Sequence, residues 1–214
     1  MRYLLSAVAA ATALSIVPAS AANNSQPEKS KQRAGSHISL HLARHAVLSG
    51  GDVAVHGRVR PGGRRRVKLV FRGPARGMVE TTTGRGGAFA LRWSPRRSGD
   101  YAVRAFAVHG ARTRGSVSVA RRLTAYRPAH ASYYGPGLYG NGVACGGTLM
   151  PATMGVAHKT LPCGTRVKLR YRGRTVTVPV IDRGPYVPGR DYDLTEAVKE
   201  RLGFPGIGTV LANR

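Results

Sequence analysis

From His37 to about Ala125, apolar residues fall on alternate positions, and this period of two restricts the fold more than any other feature. Ile38, Leu40 and Leu42 alternate in "HISLHLA", and Val53, Val55 and Val59 follow in "DVAVHGRV". Val67, Leu69 and Phe71 alternate in "RVKLVF", and Phe89, Leu91 and Trp93 in "AFALRW". "YAVRAFAV" and "SVSVA" continue the pattern. Alternate positions line one face of a strand, so each segment reads as a half-buried strand. Gly-rich turns separate them, and about seven such strands predict an antiparallel β-sandwich over residues 37–125.

Trp93 fits the core of such a sandwich. Tyr101, after "SGD" at the start of a late strand, is placed to form a tyrosine corner. In its strand spacing and in "SGDYAVRAF" the segment resembles bacterial immunoglobulin-like domains. It carries 18 basic residues against three acids and no cluster suited to catalysis. It reads as a spacer or wall-adhesion module.

"YRPAH", Tyr126 to His130, reads as a hinge into a last domain over 128–214. In "RVKLRYRGRTVTVPVID", Val167, Leu169 and Tyr171 alternate, Arg172-Gly173 turns, and Val176, Val178 and Val180 return as a hairpin. "GTVLAN", Gly208 to Asn213, closes with another strand. Asp193 is placed to cap one short helix, with Glu196 at the box position. Leu194, Ala197, Val198 and Leu202 give that helix an apolar face, and Gly203 ends it. Strands with one short helix in under ninety residues suggest a small, closed β-barrel.

The chain opens with Arg2, the apolar run "LLSAVAAATALSIV" and Ala19-Ser20-Ala21. This pattern predicts a secretory signal over 1–21, followed by a polar, disordered linker over 22–36. No Cys lies near the cleavage site, so no lipid anchor is expected, and the mature protein should be exported. Its formal net charge of +25 should draw it to anionic polymers or surfaces. Of the 34 basic residues 28 are arginine, spread along the whole chain without an aromatic-interleaved basic motif. Nucleic acid is therefore not an expected partner.

Cys145 and Cys163 are the only cysteines. In an exported chain an even count favours one disulfide, with a free thiol as the weaker alternative. Two Cys without clustered His do not make a zinc site. Nor is there a phosphate-binding Gly loop, a Ser nucleophile elbow or a helical His pair. No metal and no cofactor is expected, and carboxylate chemistry remains. Asp182, at the end of the apolar strand "VTVPVID", is the leading candidate for proton donor. It reads equally as an acceptor within the D-R-G-P turn. His158 reads as a structural His or an assisting group. Tyr133 and Tyr134 are placed to stack on a sugar ring or to pack at a rim.

"ASYYGPGLYGNGVACGG", "GVAHKTLPCGTRVKL", "VPVIDRGPY" and "RDYDLTEAVKERLG" occur in that order between Ala131 and Gly203. Together they resemble the rare lipoprotein A (RlpA)-like family, whose fold is a six-stranded double-psi β-barrel, related to the expansin barrels. The resemblance implies a lytic transglycosylase acting on peptidoglycan glycan strands, with Asp182 and His158 as catalytic residues. It implies that Asp193 faces a glycan groove with Tyr133, Tyr134 and Arg183, and that the protein is secreted, wall-associated and monomeric. Two acids that the lytic relatives carry upstream of the His fall here on Gly147 and Met150. The Cys145–Cys163 pair is closer to the disulfide-bearing expansin and barwin barrels. An expansin-like module that binds glycan without cutting it is the alternative.

Overall fold

The structure is a computed structural model and describes residues 36–108 and 115–214. The expected signal sequence and nearly all of the expected linker lie outside these residues. Among the described residues, no helix is long and apolar enough to cross a membrane. Among the described residues the fold is all-β with one short helix.

The alternating segments form β1 (His37–Leu42), β2 (Ala46–Leu48), β3 (Val53–Arg60), β4 (Arg66–Arg72), β5 (Gly77–Thr82), β6 (Ala88–Trp93), β7 (Gly99–Ala107), β8 (Ser116–Val117) and β9 (Arg121–Tyr134). One sheet runs β1–β3–β6, and a second runs β5–β4–β7–β9, with β8 on β7 and β2 on β9. The period of two sends Leu40, Val55 and Trp93 from the first sheet, and Leu69, Val103 and Leu123 from the second, into one shared core. Trp93 stacks on Phe71 at 4.5 Å and meets Tyr101 edge-on. The Tyr101 hydroxyl donates to the Arg97 carbonyl at 2.8 Å, as expected of a tyrosine corner.

The remaining elements are β10 (Val156–Ala157), β11 (Arg166–Tyr171), β12 (Arg174–Asp182), β13 (Tyr192–Thr195), α1 (Glu196–Leu202) and β14 (Gly208–Ala212). Their ladder order is β13–β10–β12–β11–β14–β9, and β13 also pairs with β9. Val156, Leu169, Val178, Leu194, Leu202 and Val210 share a second core. The β11–β12 turn uses Arg172 at φ 43° and Gly173 at φ 87°, the two positive values that a two-residue hairpin requires. The residue flanking α1 on its N-terminal side is Thr195, not Asp193, and it makes no side-chain cap. Gly203 ends the helix in the left-handed region.

The stretch expected to be a hinge is not one. Tyr126 to His130 lie inside β9, which pairs with β7 at Tyr101↔Leu123 and continues to pair with β14 at Val210↔Ala129. Pro128 has a φ compatible with an extended strand and removes only one ladder donor. The buried Tyr126, Ala129 and Ala131 carry the chain from one core to the other.

A polar cluster bridges the same junction. Lys168 of β11 donates to Asp100 Oδ1 at 2.8 Å and to Thr124 Oγ1 at 2.9 Å, and Asn213 Nδ2 reaches Asp100 Oδ2 at 3.2 Å. Partial burial pushes Asp100 up, but the Lys168 hydrogen bond, with Thr124 and the Lys168 and Arg214 charges, holds its carboxyl below the ordinary value. A carboxyl lowered in the folded state stabilises above its unfolded pKa of about 3.9, and loses that contribution as pH falls through the folded value. Asp100→Asn should therefore cost about 1 kcal/mol at neutral pH, since the pair is half exposed, and nothing at the acid end. Denaturant unfolding of both proteins at neutral pH and in steps down to about pH 2 measures this.

Candidate functional site

The candidate site is built on one row of paired residues. Asp182 of β12 faces Ala157 of β10, Ala157 faces Asp193 of β13, and Asp193 faces Ser132 of β9. Adjacent strands lie about 4.8 Å apart, so the two aspartate Cα atoms are two steps, or about 10 Å, apart. Strict alternation would send Asp182 into the core behind Val176, Val178 and Val180. The β10–β12 ladder shifts register instead: Val156 faces Val180 and Ala157 faces Asp182, which leaves Ile181 as an extra residue. Such a bulge re-aims the residue that follows. The Ile181 side chain fills the space beside Gly155, where a Cβ would lie 2.4 Å from Ile181 Cδ1.

Asp182 is half-buried. Its Oδ1 accepts the amide N–H of Ala144 at 2.9 Å and of Arg183 at 2.8 Å. The reading as a turn acceptor is seen in these two bonds, both of which use Oδ1. Asp193 accepts a hydrogen bond from the Ser132 hydroxyl, which itself receives Arg190 Nη1 at 3.0 Å. Tyr134 stands two residues after Ser132, on the same face of β9. Its hydroxyl is buried and makes no well-formed hydrogen bond. Burial first, then the nearby Asp182 and Asp193 charges, push its pKa up. It is therefore a neutral O–H held near two carboxylates.

The other expected site residues are placed differently. His158 alternates to the opposite side of β10, where its ring packs against buried Tyr192 at 5.1 Å. Its Nδ1 accepts the amides of Thr160 at 3.1 Å and Leu161 at 3.0 Å, so the ring proton of the neutral form sits on Nε2. Burial, then the Arg127 charge, lower its pKa, with Arg183 and Lys159 adding to this against Asp191. Its backbone N–H donates to the Asp182 carbonyl at 3.1 Å. Arg183 turns back: Nη1 donates to the Leu161 carbonyl at 3.0 Å and the His158 carbonyl at 3.3 Å, and Nη2 meets Cys163 Sγ at 3.1 Å. Tyr133 faces away from the row, under Lys199 Nζ at 4.3 Å from the ring centre. Cys145 and Cys163 are disulfide-bonded, with Cα atoms 5.6 Å apart.

Two features escaped the sequence reading. Ser132 holds Asp193, and the Ala144 amide holds Asp182. A Ser beside the tyrosines was a weak signal for the first, and a backbone donor carries no signal at all. Tyr139 was also passed over; it donates to Glu196, which, ahead of burial, raises the phenol to about 12. A concavity of about 920 Å³ lies toward the other end of β12 between Pro151, Thr175, Thr177 and Glu200, and contains neither aspartate.

The fold and site define a small β-barrel unit that carries two acidic side chains, Asp182 and Asp193, on the strands either side of β10. Residues 129–212 match the family model described as lytic transglycolase, and over this part the chain is similar to the RlpA-like double-psi β-barrel family. It is 40% identical over 84 residues to the probable endolytic peptidoglycan transglycosylase RlpA of Synechocystis, covering 37% of this chain and 26% of that protein. It is 40% identical over 81 residues to the endolytic peptidoglycan transglycosylase RlpA of Campylobacter jejuni, covering 37% of this chain and 30% of the relative. The RlpA of Neisseria meningitidis is 30% identical over 131 residues, 57% of this chain and 55% of the relative. Matches to the first three curated relatives span 22% to 41% of their length. The solved Streptomyces papain inhibitor aligns with 41% of this chain and 92% of its own at 25% identity, with a TM-score of 0.33.

Proposed function

We propose that the chain is an exported cell-wall enzyme that cleaves peptidoglycan glycan strands as a lytic transglycosylase. The carrying observation is the Asp182–Ala157–Asp193–Ser132 row, in a domain whose relatives bear that name. The unit over 37–125 would be an immunoglobulin-like sandwich acting as a spacer. The unit over 128–214 would be a closed six-stranded barrel that works as a monomer once the signal over 1–21 is removed.

Asp182 Oδ2 would protonate the glycosidic oxygen as the bond to the muramic C1 breaks. The same oxygen, now ionised, would take the proton of the C6 hydroxyl as that oxygen bonds to C1, closing the 1,6-anhydro ring. No water is consumed, and Asp182 ends as it began. Asp193 would stabilise the positive charge that develops on the sugar ring. His158 and Arg183 would be positioning residues, acting through the 158–163 loop and not on the sugar.

Tyr134 would hold Asp182 in its productive orientation. Tyr134→Phe should lower kcat about tenfold with KM nearly unchanged, because the loss falls on the reacting carboxyl and not on sugar contacts. Steady-state kinetics on strands freed of stem peptides measures the split. The wild-type test is mass spectrometry of those digests, where 1,6-anhydromuramyl ends are expected. Gly147 and Met150 stand where lytic relatives carry acids, and they favour the expansin-like alternative. Glycan binding without new chain ends would establish that alternative.

A further inference from the structure

The outer face of the second sheet carries an arginine triangle that neither the core nor the candidate site uses. Arg72 of β4 and Arg122 of β9 both face Ala102 of β7 across their ladders. Arg104 stands two residues beyond Ala102 on the same face. At about 4.8 Å per strand and about 3.4 Å per residue, the three Cα atoms lie about 8–10 Å apart. All three side chains are exposed, and among the described residues none has a carboxylate or hydrogen-bond partner.

Two adjoining concavities share this triangle. One, of about 270 Å³, is lined by Val70, Arg72, Ala102, Arg104, Phe106 and Ala120. The other, of about 310 Å³, adds Asp100, Tyr101, Arg122, Thr124 and Lys168 to Arg72 and Ala102. The acid in the second is already engaged by Lys168, Thr124 and Asn213. Glu80, on the β4–β5 side of the same face, is paired with Arg66 and Lys68. The free charge on this face is therefore cationic, over a small apolar floor.

We propose that this face binds a linear phosphodiester polymer of the cell wall, with Arg72, Arg104 and Arg122 each meeting phosphate oxygens. Guanidinium groups bind such oxyanions through paired N–H donors. The small Ala102 and Ala120 let a thin chain settle between the arginines, whereas a nucleic-acid duplex is too broad to enter. Single-stranded nucleic acid is bound through exposed stacking aromatics, and here the lining aromatics are half-buried Phe106 and buried Tyr101. The site would tether the protein to the wall independently of any glycan cleavage.

The test measures binding of the mature chain to linear poly(glycerol phosphate) across a salt series, with single- and double-stranded DNA in parallel arms. Arg72→Gln, Arg104→Gln and Arg122→Gln combined should weaken polymer binding about 100-fold at low salt. The slope of log affinity against log salt should fall by about 2, or about 0.7 per lost contact. A control removing the same charge, Arg60→Gln, Arg64→Gln and Arg85→Gln, should change affinity less than about threefold. Ala102→Glu, at an exposed position, should weaken binding even if the triple variant folds poorly, and thermal melts report folding. Equal losses in both triples would show that net charge alone is at work and overturn the site. So would the absence of saturable polymer binding, or DNA binding as tight as the polymer with the same sensitivity to the triangle.

Discussion

Asp182→Asn is expected to abolish formation of anhydromuramyl ends, a fall of about 10²–10⁴ in kcat, while leaving folding and glycan binding intact. The geometry makes the substitution selective. The Asn carbonyl oxygen can still accept the amides of Ala144 and Arg183, so the turn after β12 keeps its organising acceptor. The second position becomes an NH₂ group, which cannot take up a proton from the C6 hydroxyl. The measurement is product analysis by mass spectrometry beside equilibrium binding and a thermal melt. Full activity in the variant would move the acid elsewhere, and lost binding with lost fold would make Asp182 structural. Asp193→Asn should cost less, because Asp193 acts on developing charge and transfers no proton.

Much of this arrangement was legible because strands write their buried face into every second residue. Ile38, Val55 and Leu69 announced the two-sheet half, and Arg172-Gly173 announced the β11–β12 hairpin. Tyr126 to His130 misled because Pro128 and the flanking polar residues look like a break. The burial of Ala125 and Ala129 in two different cores is a long-range fact that no local window contains. Asp193 misled in a similar way. Three residues before Glu196 it looks like a helix cap, yet it lies on β13, paired with β9, and its carboxylate is taken by Ser132.

His158 is the most instructive residue of the candidate site. Its motif groups it with Asp182, and the backbones of the two do meet, His158 N–H to Asp182 O. Strand alternation then sends the imidazole to the side of Tyr192, away from the two carboxylates. Proximity in the fold is therefore not proximity of reacting atoms. The bulge at Ile181, which turns Asp182 toward Asp193, depends on the close packing of Ile181 against Gly155. Gly155 was visible in "GVAHKTLP", but the reason for it was not, since the contact comes from a strand about 25 residues later.

Reducing the Cys145–Cys163 disulfide should cost both stability and rate, and the rate loss should come first. The bond spans 18 residues, for which release of loop-closure entropy predicts a loss of about 3 kcal/mol. The bond also borders the candidate site on both sides. Cys145 N–H donates to the Ile181 carbonyl, and the neighbouring Ala144 N–H holds Asp182 Oδ1. Cys163 Sγ receives Arg183 Nη2, and the same guanidinium holds the 158–161 loop by its carbonyls. With the bond open, the 143–147 loop can leave while the second core remains, and Asp182 then loses one of its two fixed donors. Cys145→Ser with Cys163→Ser should therefore lower kcat about 10- to 100-fold at denaturant concentrations too low to unfold the protein, because misplacement of a reacting group by about 1 Å has that effect. Kinetics and denaturant unfolding on the same preparations decide the matter. A stability loss without a rate loss would mean that Asp182 is held well enough by the Arg183 amide alone. A rate loss of this size in the folded, reduced protein would make the disulfide part of the machinery that aims the acid.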